Sequence, residues 1–201
     1  ETPFNLSKIS KEVLIVIEQI AAEQNIQIEW EKKRKSYTGI LSEVRGYVKR
    51  VMMNILSNAV KYNRENGHIY LSCMEIPSEQ PGMTTMEFIC RDAGIGMTEE
   101  FQKHIFEPFA QEHTGSRTKF TGTGLGMPII KKYIDMMYGT IEVESKQGEG
   151  SKFTVTLEYR IADKSYYERA TEKFSDMDET RISGKHILLA EDNDLNAEIA
   201  E

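Results

Sequence analysis

Residues 54–62 read Asn54-Ile-Leu-Ser-Asn58-Ala-Val-Lys61-Tyr62. Asn54, Asn58 and Lys61 stand at i, i+4 and i+7, so on a helix they share one stripe. Val44, Val48, Val51, Met52, Ile55, Leu56 and Ala59 recur around them at helical spacing, which predicts a helix over 43–62. Amides set among apolar neighbours need partners, because an unbonded buried polar group is costly. An amide oxygen can ligate a hard cation and a lysine can neutralise phosphate. A polar helix face gives the same spacing, so the stretch takes its meaning from two others.

The first of these is Asp92-Ala-Gly94-Ile-Gly96, placed directly after a predicted strand over 83–91. A carboxylate there can accept from an exocyclic amine, and glycines let backbone approach a flat ring, although a strand ending in Asp-x-Gly is often only a turn. The second is Gly122-Thr123-Gly124-Leu125-Gly126, running from a polar, aperiodic loop over 110–124 into a predicted helix over 125–137. Backbone amides of such a run at a helix N-terminus form a phosphate cradle, and a flexible hinge has the same composition. Arg117 and Lys119 in the loop are either cationic contacts to a terminal phosphate or solvated loop charges.

Working outward, residues 6–24 place Leu6, Ile9, Val13, Ile17 and Ile20 on one helical face, with Asn25 closing the helix. Residues 26–31 alternate as a short strand, and the basic stretch 32–35 reads as a solvated hairpin edge. A turn over 63–67 precedes a strand over 68–76, and a short helix is predicted over 99–105. Strands over 140–145 and 151–159 follow, joined by a turn at 148–150. Pro128 fits only the first turn of its helix. The mixed order predicts an α/β two-layer sandwich, a mixed and mainly antiparallel sheet with helices on one face. The expected division is a domain over 1–159, a charged linker over 160–184, and a buried parallel strand beginning a second domain over 185–201.

Together with Phe106-Glu-Pro-Phe109, the three segments resemble, in order and spacing, the N, G1, F and G2 boxes of histidine kinases. That family belongs to the ATPase superfamily of DNA gyrase, the large heat-shock chaperones and the mismatch-repair ATPases. The resemblance covers residues 4–159; no P-loop sequence occurs. It implies that Asn58 coordinates Mg²⁺ bridging the ATP phosphates, with Asn54 supporting it from one turn back. It places Lys61 on phosphate, Tyr62 against the nucleotide and Asp92 on the adenine amino group. Gly94 and Gly96 shape the adenine pocket, and the run Gly122, Thr123, Gly124, Leu125 and Gly126 closes a lid over the phosphates. Phe106 and Phe109 either pin that lid, dock on a partner domain, or serve as core.

Gyrase-like members resemble one another in carrying a glutamate base where this chain has Asn54. An amide takes no proton at neutral pH, which fits a kinase rather than a hydrolysing ATPase. The acceptor in such kinases is a histidine on a two-helix dimerisation domain, expected upstream of Glu1. None of His68, His104, His113 and His186 fits that role, so the chain is expected to bind ATP without phosphorylating itself. The tail HILLAEDNDLNAEIA resembles the start of a response-regulator receiver, which makes Glu191 and Asp192 the acidic pair of an incomplete Mg²⁺ site. The implied partners are the dimerisation domain and a receiver, within a homodimeric parent. The rival readings are an ATP-hydrolysing conformational switch of the same superfamily and a degenerate scaffold that binds nothing.

Composition agrees. Of 201 residues, 39% are hydrophobic, enough for a core. The balance of 25 Lys plus Arg against 32 Asp plus Glu, net −7, argues against a duplex nucleic-acid binder. Cys73 and Cys90 lie in apolar runs without metal or redox spacing and read as reduced core residues of a cytoplasmic segment. No apolar run reaches the ~20 residues of a membrane span. The chain opens without Met, in mid-pattern, and is expected to be a fragment whose parent is anchored in a bacterial inner membrane or free of it.

Overall fold

The structure, a computed structural model, describes residues 3–4, 6–31, 40–41, 45–78, 80–112 and 123–161. All lie in the first of the two units into which the chain divides, Glu1–Tyr167 and Glu168–Glu201. The order is β1 (Pro3–Phe4), α1 (Leu6–Ala22), β2 (Gln27–Glu31), β3 (Ile40–Leu41), α2 (Arg45–Lys61), β4 (His68–Pro77) and β5 (Met83–Asp92). It continues with α3 (Glu99–His104), α4 (Gly126–Met136), β6 (Thr140–Lys146) and β7 (Gly150–Ile161).

β7 is the spine of the sheet. It pairs antiparallel with β5 along one edge, while the other edge takes β6 and then β3. β4 joins β5 antiparallel, and β2 adds to β4 in parallel. A parallel pair requires a crossover, and α2 supplies it between β2 and β4. The expected mixed, mainly antiparallel sheet is therefore present. The two-residue β1 and β3 were too short to be seen as periodicity.

Residues of β5 alternate strictly, with Thr84, Met86, Phe88, Cys90 and Asp92 buried on one face. On that face lie Val48, Val51, Met52, Ile55, Leu56, Ala59 and Val60 of α2, which join Leu6, Ile9, Val13 and Ile17 of α1 and Ile130 and Ile134 of α4 in one core. Ile20 departs from expectation: it is 37% exposed, and Ala21 takes the buried place. The helix turns Ala21 rather than Ile20 into the core. Asn25 closes α1 as expected, in the left-handed region at φ 54, with Ile26 N–H returning to the Ala21 carbonyl at 3.0 Å.

α3 carries no buried residue. It holds through Thr98, whose hydroxyl accepts from Phe101 N–H at 3.2 Å, and through Glu99 and Glu100 at its start and Lys103 and His104 at its end. Cys73 and Cys90 are buried and form no disulfide, and burial pushes the Cys90 thiol far up. No helix of the described residues is long and apolar enough to cross a membrane. The basic stretch 32–35 and the segment 185–201 lie outside the described residues.

Candidate functional site

One cavity of about 460 Å³ opens between α2, the end of β5 and the start of α4. Asn54, Asn58 and Lys61 line it from α2, as their shared stripe predicts, and Tyr62 joins them from the residue after the helix. Asp92, Gly96, Thr123, Gly124 and Gly126 complete the predicted set along its wall. Gly94 and Leu125 are not lining residues: Gly94 lies beneath Asp92, and Leu125 is the N-cap of α4. Arg117, Lys119, Gly122, Glu191 and Asp192 lie outside the described residues.

At one end sits Asp92, 7% exposed. Its Oδ1 accepts from Gly94 N–H at 2.8 Å and from Ser151 N–H at 3.3 Å. Burial raises its pKa above the ordinary 3.8, against the pull of those N–H groups and of its own backbone N–H. Both bonds fall on Oδ1, so Oδ2 is the oxygen left for a ligand. Apolar Ile95, Met97, Ile105 and Phe153 wall this end, which suits a flat ring with one polar edge. Close approach sets the backbone here. A Cβ on Gly94 would meet the Tyr62 carbonyl oxygen at 2.3 Å, and Ile95 N–H donates to that oxygen at 3.0 Å.

At the other end α2 meets α4. Asn58 Nδ2 donates to Asn54 Oδ1 at 3.2 Å and lies 3.5 Å from Met127 Sδ. With its nitrogen engaged, Asn58 keeps Oδ1 for a cation, so the donor fits one hard-ion contact. Among the described residues no group of three or more His, Cys, Asp or Glu gathers to hold a metal. A single amide contact is what a cation carried mainly by phosphates needs. A Cβ on Gly126 would sit 2.9 Å from both side-chain polar atoms of Asn54, so only glycine lets the first turn of α4 rest there. No side chain caps α4, and its opening amides are left for an anion.

Tyr47 and Tyr133 stack at 4.7 Å with rings 12° apart, and Arg50 Nη1 donates to Tyr133 Oη at 2.9 Å. These contacts tie α2 to α4 two turns from the cavity. We expect Tyr133→Ala to weaken ATP-analogue binding by about 3- to 10-fold in calorimetry, with Tyr133→Phe close to wild type, since the stack rather than the hydroxyl carries most of an aromatic pair.

Phe109 N–H donates to the Gly124 carbonyl at 3.0 Å, with φ 65 at Phe109 and 67 at Gly124. The Phe106–Phe109 segment thus pins the glycine run through backbone. Phe106 packs partly against the core, whereas Phe109 is 71% exposed and is not core. His104 contacts Glu107 at 2.8 Å, which holds the imidazole above its ordinary 6.5, and His68 opens β4. Ser151, Met97 and Met127 are not marked by any local pattern: Ser151 enters the cavity through strand register, Met97 through the loop after β5 and Met127 through the packing of α4 on α2.

Residues 44–161 match the family described as Histidine kinase-, DNA gyrase B-, and HSP90-like ATPase. The Sensor histidine kinase AruS of Pseudomonas aeruginosa is 30% identical over 198 residues, 98% of this chain and 19% of its own length. The chain spans about a fifth of the curated relatives it first matches. The nucleotide-free catalytic domain of histidine kinase ThkA superposes with TM-score 0.59 at 27% identity, over 78% of this chain and 93% of that one. Full-length ShkA in complex with AMPPNP shares the fold, with TM-score 0.64 at 24% identity, over 80% of this chain and 31% of that one. The chain belongs to the histidine kinase-, DNA gyrase B- and HSP90-like ATPases.

Proposed function

We propose that this chain is the ATP-binding catalytic domain of a hybrid sensor histidine kinase. It binds Mg²⁺–ATP and donates the γ-phosphoryl group to a histidine on a dimerisation domain, from which it passes to a receiver aspartate. The observation that carries this is the single cavity joining the Asn54–Asn58–Lys61 stripe, Asp92 and the uncapped start of α4. Asp92 Oδ2 would accept from the adenine amino group, and the amides of Gly126 and Met127 would meet phosphate. Asn58 Oδ1 would hold Mg²⁺, which when bound neutralises charge on the phosphates. AruS and ThkA bear the name histidine kinase, and ShkA was solved with AMPPNP. A structure of ThkA with the response regulator TrrA supports a receiver as downstream partner. The resemblance of residues 185–201 to a receiver belongs to the same reading, with Glu191 and Asp192 as its acidic pair.

Transfer to a histidine is favoured over hydrolysis by the amide at position 54 and by the placement of the carboxylates. Among the described lining residues these are Asp92 and Glu112, and backbone N–H groups engage both, Thr98 N–H reaching Glu112 at 2.9 Å. Asn54 is held between Asn58 and Gly126 and takes no proton. The stripe beside Asn58 therefore offers water no base, where a carboxylate at position 54 would supply one. A dimerisation domain bearing an acceptor histidine, supplied in trans with γ-labelled ATP, is expected to gain label on histidine only when this chain is present. Steady-state phosphate release at comparable rates without that domain would favour the hydrolysing switch instead. Asn58→Ala is expected to weaken binding of an ATP analogue at least about 10-fold with Mg²⁺ present and little without it, as read by calorimetry.

A further inference from the structure

Asp92, Ser151 and Ser145 occupy one rung across β5, β7 and β6, for Asp92 faces Ser151 and Ser151 faces Ser145 in strand register. Ser151 has the parity of buried Phe153 and Val155, which puts its side chain on the face where the cavity lies. Ser145 is the hub of this rung. Its Oγ lies 2.9 Å from Met97 N, from the Gly150 carbonyl oxygen and from Ser151 Oγ. Gln102 of α3 holds the Ser145 backbone on both sides, donating to its carbonyl at 2.9 Å and accepting its N–H at 3.2 Å.

Only one arrangement of protons makes all three contacts hydrogen bonds at once. A hydroxyl has one proton to give. Met97 N–H only donates and the Gly150 carbonyl only accepts, so the Ser145 proton goes to Gly150. The contact between the two serines then needs its proton from Ser151. Ser151 Oγ is left with lone pairs alone for anything entering the cavity.

We propose that Ser145 is a positioning residue for base selection: by taking the Ser151 proton it leaves Ser151 Oγ as an acceptor beside the Asp92 carboxylate. Two strands then offer acceptors to the base, which selects a purine 6-amino group over a 6-oxo group. The inference rests on the nucleotide reading above. Without Ser145 the Ser151 hydroxyl is free to turn its proton into the cavity and donate to an oxo group.

Calorimetric titration with ADP and IDP, which differ at purine position 6 and in the proton that N1 carries only in IDP, tests this on the whole chain. Wild type is expected to prefer ADP at least about 10-fold. Ser145→Ala should shrink that preference by about 10-fold, through weaker ADP and unchanged or tighter IDP binding. Ser145→Cys keeps the side-chain volume and should behave alike, and Ser151→Ala, which removes the acceptor, should weaken ADP alone. A structural defect would instead lower both nucleotides by one factor. That result, or a wild-type ratio kept in all three variants, overturns the proposal while leaving nucleotide binding intact. Wild type that binds neither nucleotide overturns the nucleotide reading and this inference with it.

Discussion

Asp92→Asn is expected to weaken binding of an ATP analogue at least about 100-fold while leaving the fold as stable as wild type, or more so, at neutral pH. The amide can keep its oxygen on Gly94 N–H and Ser151 N–H, the two bonds that Oδ1 now accepts. Its nitrogen then takes the place of Oδ2 and turns a donor toward the amino group of adenine. One hydrogen bond is lost, and two donors face each other in a buried place. Calorimetry gives the affinity, and undiminished binding would remove Asp92 from the base end of the site.

The pH dependence of stability has the opposite sign from that of an ion-paired aspartate. Burial raises the Asp92 pKa in the fold above 3.8, so between these values the native state holds the proton more firmly than the unfolded chain. The contribution of this group is therefore most favourable below 3.8 and is lost as pH rises through the raised value. The asparagine has no proton to lose. The stability gap between Asp92→Asn and wild type should widen in favour of the variant from acidic to neutral pH, as measured by urea unfolding. A gap that narrows over that range would show the carboxylate to be stabilised rather than strained by its surroundings.

The second large effect is expected from Gly96→Ala, which should destabilise the fold by about 3 kcal/mol or more. Gly96 sits at φ 64, where an alanine alone costs about 1–2 kcal/mol. The new Cβ would lie 2.0 Å from the Lys146 carbonyl oxygen and 3.1 Å from that of Gly150. Neither can yield cheaply. Lys146 and Gly150 are the closing pair of the β6–β7 ladder, and Gly148 N–H donates back to Ile95 at 2.7 Å. Relief would have to come from shifting residues 95–97, which wall the cavity, so nucleotide binding should fall with stability. Gly46→Ala is the control. It meets nothing within 4 Å on α2 and should be neutral or stabilising by about 0.5 kcal/mol. Urea midpoints of the two variants check this, and a Gly96→Ala midpoint equal to wild type would mean the turn has room that the geometry denies.

Much of the molecule was legible in residue order. The helical stripe of Asn54, Asn58 and Lys61, the strand ending at Asp92 and the glycine run entering α4 each follow a local period or a turn rule, and local rules act on neighbours in sequence. Register and depth are of another kind. That Ile20 is half out while Ala21 is in depends on the face of α1 that the sheet accepts. That Phe109 is exposed while its backbone N–H clasps Gly124 depends on a loop returning to its own base. Ser151 meets Asp92 because β7 is paired with β5 in one register, and a slip of one residue would send the hydroxyl to the other face of the sheet. Spacing on a helix and placement at a strand end are local facts, and they carry the family, the fold class and the polar groups that line the cavity. Which oxygen of Asp92 is open, where Ser145 directs a proton and which glycines admit no methyl group follow only from the tertiary structure, since each depends on groups that strand pairing, hairpin turns and helix packing bring together.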